Sequence, residues 1–155
     1  MNRSTAQFKP KDPNYQVKVR NSFARQATMQ SLQVELQTVE PGIVQLSMPY
    51  QQTFTQQHGF IHAGIISTAL DSACGYAAFS LMPAEAAVLS VEFKVNLLAP
   101  AQGERFIFIA EVLKPGRTIS VVEGKAYAEQ GQKSKLIASM NGTMMSIIDR
   151  PGVHQ

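Results

Sequence analysis

The sequence predicts an α+β domain in which one antiparallel sheet wraps a single long central helix. Three observations predict it. Residues 62–82, HAGIISTALDSACGYAAFSLM, have the length of a helix and are apolar nearly all round, as a helix enclosed by other structure must be. Ahead of this stretch, two short runs alternate apolar and polar residues on either side of Pro41-Gly42. Behind it, four strand-like runs are separated by turn residues. A helix apolar on every side and a sheet apolar on one face satisfy each other when the sheet curls around the helix.

The elements follow in order. Residues 1–20 are polar, carry Pro10 and Pro13, and read as a flexible arm ahead of one domain over residues 21–150. Asn21 or Ser22 is placed to cap a short helix reaching about Gln30. Leu32, Val34 and Leu36 then alternate with Gln33, Glu35 and Gln37, the signature of a half-buried strand. After the Pro41-Gly42 turn, Val44, Leu46 and Met48 alternate in a second strand, completing a hairpin. Residues 51–61 form a polar loop into the long helix, which ends before Pro83. Four strands are expected over residues 87–98, 105–113, 118–129 and 135–148. The turns between them lie at residues 100–103, Pro115-Gly116 and Gln130-Gly131, a spacing that implies antiparallel pairing. An open sheet of this kind leaves edges that self-association through a strand would cover.

Composition narrows the functional classes. A chain of 155 residues with 45% apolar and 16% charged residues builds one ordinary core. The single cysteine, Cys74, excludes an intrachain disulfide and a Cys-based zinc site, and points to a reducing, cytoplasmic setting. The N-terminus has no apolar h-region, so no secretory signal is expected. The long helix is rich in Ala, Ser, Gly and Thr and carries Asp71 near its middle, which speaks for a core helix over a membrane span. The net charge is +3, and the first twenty residues hold Arg3, Lys9, Lys11, Lys18 and Arg20. Such a cluster is either a solvated face or an attractor for an anionic, nucleotide-bearing ligand. With no basic helix, RNP-like strand or aromatic platform, nucleic acid is not an expected partner.

The long helix carries the chemistry. No Lys or Arg occurs between Arg25 and Lys94, so Asp71 has no cation near it in sequence. A carboxylate in an apolar helix is costly to bury; it either has a task, with desolvation pushing its pKa up, or is satisfied by hydroxyl or backbone donors or faces solvent. His62, Ala63 and Gly64 open the same helix, where free N–H groups and the dipole favour a developing oxyanion and small residues admit a substrate. The plainer account is that Ala and Gly permit a tight entry into the helix. Nine residues separate His62 from Asp71, about 180° around and about 13.5 Å along an ideal helix. One copy of the helix therefore cannot aim both groups into one small site, and joint action requires a second copy. His58 and His62 stand four apart but lack the glutamate of an HExxH pair, and the third histidine is His154, so no metal is expected. Cys74 has no base beside it and reads as packing. No serine sits in a G-x-S-x-G elbow.

At these residues the chain resembles the hotdog-fold acyl-CoA thioesterases of the phenylacetate-degradation (PaaI-like) type. The family motif, H-G-G, apolar residues, then L-x-D and often Gly, reads here as HAGIISTALDSACG over residues 62–75. The strand VLSVEFKVNLLAPA and the segment GERFIFIAEVLKPGRTISVVEGKAY extend the likeness to about residues 30–148. Two positions depart from it: Ala63 stands where Gly is common but keeps the N–H donor, and Gln56 stands where Asn is frequent. The resemblance implies a homodimer, often paired into a homotetramer, with sites at the dimer interface and no cofactor. It implies Asp71 as general base or nucleophile, Gln56, His62 and Ala63 holding the carbonyl, and Ser90 orienting water or Asp71. Gly64 would allow close approach, and Lys114 or Arg117 would meet the CoA phosphates. The rivals are a non-catalytic acyl-CoA- or lipid-binding hotdog protein and a hotdog dehydratase.

Overall fold

The computed structural model describes residues 8–153, so the first seven residues of the expected arm, and His154, lie outside the described residues. Two short helices, α1 (Tyr15–Ala24) and α2 (Ala27–Ser31), precede strands β1 (Glu35–Glu40) and β2 (Ile43–Pro49). After a 3-10 turn at Gln52–Phe54 comes the long helix α3 (Ala63–Phe79). Strands β3 (Ala87–Leu97), β4 (Arg105–Lys114), β5 (Ile119–Gln130) and β6 (Lys133–Ile147) complete the chain. The six strands form one sheet in the order β1-β2-β4-β5-β6-β3, antiparallel throughout. Helix α3 packs against β2, β3, β4, β5 and β6, which is the wrapped arrangement expected of the sequence. No helix among the described residues is long and apolar enough to cross a membrane.

Alternation builds the inner face. Val44, Leu46 and Met48 of β2, Phe106, Phe108 and Ala110 of β4, and Val122 and Ala126 of β5 are all fully buried against the helix. The helix answers with small residues, and β5 comes so close that a Cβ added at Gly124 would stand 2.9 Å from Cys74 Sγ. Glycine at 124 is thus what lets the sheet close over the middle of α3.

The N-terminal region departs from the expectation of one helix running from Asn21 or Ser22 to Gln30. Helix α1 already begins at Tyr15, and Ser22 is not a cap but a buried residue whose hydroxyl shares a hydrogen bond with Tyr76 Oη at 3.1 Å. The helix breaks because Gln26 is extended, at φ −79° and ψ 94°. The first strand also starts later than the alternation suggests. Leu32 ends α2, and Gln33 adopts φ 54°, a left-handed turn that spends one residue of the pattern before Glu35. The turn at Gln33 closes α2 locally, with Val34 N donating to Met29 O at 2.9 Å, whereas the placement of α1 is anchored from a distance. Lys18 Nζ donates to Met82 O at 2.7 Å and Pro83 O at 3.1 Å and lies 4.3 Å over the Phe79 ring, pinning α1 to the end of α3. Burial lowers the pKa of this lysine, against the opposing pull of Asp12.

Candidate active site

The start of α3 is held by its loop. Gly59, at φ 80°, closes a tight turn in which Gln56 N donates to Phe60 O at 2.8 Å and Gly59 N to Gln56 O at 2.9 Å. An isolated bridge joins Thr55 to Ile61, and His62 N donates to Phe54 O at 2.9 Å. His62 is the N-cap of α3: its Nδ1 accepts from Gly64 N at 2.9 Å. That bond fixes the roles of its neighbours. The Gly64 N–H is already engaged, whereas the Ala63 N–H has no partner among the described residues. A cavity of about 440 Å³ opens beside it, lined by Gln56, Phe60, Ala63, Ile66, Leu97 and Ile137 among others. Apart from the Gln56 amide these side chains are apolar, and the free N–H lies at the positive end of the α3 dipole.

Asp71 lies elsewhere. It is partly exposed in the single chain rather than sealed within it, so of the alternatives the sequence left open, complete burial is not what one copy alone shows. The reason is packing: Ala69, Leu70, Ala73 and Cys74 take the sheet-facing side of α3, which leaves Asp71 at its margin. Ser90 of β3 donates from Oγ to Asp71 Oδ1 at 2.6 Å, a charge-assisted bond that fixes one carboxylate oxygen. The pocket around the pair measures about 310 Å³ and is lined by Gln26, Asp71, Ser72, Tyr76 and Ser90, with no Lys or Arg among its lining residues.

The two pockets share no lining residue. Gln56 and Ala63 come together at the head of α3, Asp71 and Ser90 come together at its middle, and one copy does not unite the two sets. This is the separation that nine residues of helix require. Lys114 and Arg117 belong to neither pocket; both are exposed, at and after the end of β4. Gln26 and Ser72 escaped sequence reasoning. Ser72 Oγ donates to Gln26 Oε1 at 3.1 Å, so the residue that breaks the N-terminal helix also walls the Asp71 pocket. A contact across 46 residues leaves no local signal. Cys74 is buried, and desolvation, with the charges of Asp71 and Glu123 adding, pushes its thiol up to about 12. Such a thiol is no nucleophile near neutral pH.

Comparison with known proteins places this geometry. The family model of the thioesterase superfamily matches residues 58–135, which contain Ala63, Asp71 and Ser90. A crystal structure of a thioesterase family protein from Silicibacter pomeroyi superposes with a TM-score of 0.86 at 60% identity, covering 86% of this chain and 98% of that one. The PaaI protein of E. coli, from the phenylacetic acid degradation operon, superposes with a TM-score of 0.78 at 17% identity, over 88% of this chain and 96% of that one, a likeness of fold. A Saccharolobus solfataricus protein whose name proposes an esterase is 36% identical over 92 residues, which is 59% of this chain and 65% of the relative. The match thus spans slightly less than two thirds of that relative's length. The sheet wrapped on α3 is the hotdog fold that the sequence resemblance implied.

Proposed function

This chain belongs to the thioesterase superfamily, and from that premise we propose that it hydrolyses acyl-CoA thioesters in sites shared between two copies of the chain. The observation that carries the reading is the divided site: an oriented carboxylate in one pocket, and an unengaged helix-start N–H beside an apolar cavity in the other. Each half lacks what the other holds. Strand β3 links them, because residues 88–90 line the Asp71 pocket and residues 97–99 line the Ala63 cavity. It is also a sheet edge, with Leu89, Val91, Phe93 and Leu97 exposed. Two copies paired antiparallel along β3 would lay the Ser90 end of one strand beside the Leu97 end of the other. The Asp71 of one copy would then face the Ala63 cavity of its partner. Pairing of such dimers into a homotetramer is compatible with this arrangement and is not required by it.

In that site the acyl group occupies the apolar cavity, and the thioester carbonyl oxygen accepts from the Ala63 N–H and the Gln56 amide. Negative charge develops on this oxygen as the carbonyl carbon becomes tetrahedral, and the positive end of the α3 dipole stabilises it. Asp71, held by Ser90, takes a proton from water as the water oxygen attacks. Alternatively its free oxygen attacks, forming an anhydride that water then opens. Either route ends with the C–S bond broken, the electron pair on sulfur, and a proton returned to the thiolate. His62 acts through the backbone: its ring caps the helix and holds Gly64 and Ala63 in place, with Nδ1 occupied as acceptor. Arg117 and Lys114 supply positive charge for the CoA phosphates. No metal or cofactor enters the scheme.

The test is turnover of wild type and Asp71→Asn on a panel of acyl-CoAs, with hydration of an enoyl-CoA and thermal melting beside it. Asparagine keeps the shape and accepts from Ser90 but cannot take the proton. The fold should persist while turnover falls by at least about 10². A folded variant with near-normal turnover would remove Asp71 from the reaction. Binding without hydrolysis by wild type would favour the non-catalytic rival, and hydration the dehydratase.

A further inference from the structure

A third cavity, of about 350 Å³, lies at the C-terminal end of α3, apart from both halves of the site just described. Its floor is apolar, made by Ala78, Leu81 and Met82. Lys9, Lys11 and Arg117 are exposed around it, and no carboxylate is among its lining residues. The ion pairs among the described residues use Lys18, Arg105 and Lys125, so all three cations at this cavity are without one. Two hydroxyls stand among them: Ser120, only 5% exposed, and Ser146, whose buried Oγ has no hydrogen-bond partner. Three cations lining one concavity with no carboxylate among its lining residues make it electropositive, and a hydroxyl buried without a partner costs free energy. One multivalent anion with several acceptor oxygens answers both, and phosphate is the group that does so best.

We propose that this cavity is a binding site for a phosphate group, gripped by Lys9, Lys11 and Arg117 with the hydroxyls of Ser120 and Ser146 beneath. Two of its cations come from the segment ahead of α1, outside the residues the family model matches. The cavity also neighbours the carboxylate. Ser146 is the register partner of Val88, and Val88 lines the Asp71 pocket. Along α3, Asp71 and Ala78 are seven residues apart, which puts them on nearly one face and separates them by about 10 Å. The phosphate can therefore come from either of two sources: the phosphorylated end of the thioester carrier, which rests on the hydrolase reading above, or a free phosphate ligand held beside the site.

Calorimetric titration with pyrophosphate at low salt tests the site without any turnover. Wild type should bind one equivalent per chain. The triple variant Lys9→Gln, Lys11→Gln, Arg117→Gln should bind at least tenfold more weakly, and Ser146→Ala a few-fold more weakly. Should the triple variant fail to fold, Lys9→Gln and Arg117→Gln taken singly should each weaken binding several-fold. Absence of binding by wild type, or equal binding by the folded variants, overturns the proposal. Steady-state kinetics then separate the sources. With the carrier as source, KM for an acyl-CoA rises about tenfold in the variant at unchanged kcat, while the matching acyl-pantetheine, which bears no phosphate, is unaffected. With a free ligand as source, the double variant Lys9→Gln, Lys11→Gln, which leaves Arg117 in place, weakens pyrophosphate binding while neither KM moves.

Discussion

The two edges of the sheet are built on opposite principles. Strand β1 is short, six residues, polar at Glu35, Gln37, Thr38 and Glu40, and interrupted by a bulge between Leu36 and Thr38. Helix α1 lies beside it, and Gln16 Nε2 donates to Val39 O at 3.1 Å, so an edge carbonyl is capped from within the chain. Strand β3 is nearly twice as long, eleven residues, and shows Val91 at 53% and Leu97 at 56% exposure. Strand β3 has a register shift too, between Ser90 and Glu92, so the edges differ in the rest: short, polar and covered is how a protein refuses another strand, and long and apolar is how it invites one. The difference says which edge a second copy would use, and β3 is the edge that carries lining residues of both half-sites.

The largest effect should come from destroying the inviting edge. Val91→Glu with Phe93→Glu should give a monomer by sedimentation, with turnover down by at least about 10³, since neither half-site retains its complement. An active monomer would dissolve the contrast between the edges. Next comes Ala63→Pro. Proline at the first helical position is favourable, and His62 at φ −59° and ψ 138° already has the backbone a following proline demands. The helix should therefore stand while its free N–H is lost, lowering turnover by about 10² to 10³. Refolding this variant with Asp71→Asn should recover about a quarter of wild-type activity, because half of randomly mixed dimers carry one intact site. No recovery would place the whole site within one chain. Ala63→Gly keeps the N–H and should change kcat/KM by less than about tenfold, roughly 1.4 kcal/mol. Smallest of all, Thr38→Lys on the refusing edge should leave the oligomer unchanged and stability within about 0.5 kcal/mol in urea melts.

Much of the sheet was legible where its strands alternate, as in β2, where Val44, Leu46 and Met48 point inward as their spacing demands. The long helix was legible because nothing within residues 63–79 breaks it. The separation of the helix start from Asp71 was legible too, since nine residues of helix fix an angle and a distance. What stayed hidden depends on distant partners. The break at Gln26 goes with α1 docking on α3, which no window of neighbouring residues records, whereas the left-handed Gln33 is a local helix end, closed by Val34 N donating to Met29 O, that the alternation of Leu32 and Val34 masked. The partial exposure of Asp71 was hidden because an apolar stretch states that a helix is enclosed but not on which side the enclosure ends. Ser90 was placed by family likeness alone, and its bond to Asp71 spans 19 residues. Lys9 and Lys11 stood out as a basic cluster and Arg117 as a phosphate contact, but their meeting bridges more than 100 positions and no local pattern joins them.

The close approach of Gly124 to Cys74 has a use at the bench. The chain has one cysteine, its sulfur lies under β5, and its thiol is pushed up to about 12. An alkylating reagent can reach that sulfur only while the helix and the strand are parted. The rate of modification, divided by that of the unfolded chain, then gives the fraction of time the centre of the molecule stands open, and a wild-type sample becomes its own gauge of how far it breathes. Read with and without a thioester analogue, the same gauge reports whether filling the site at the margin of α3 holds its interior closed.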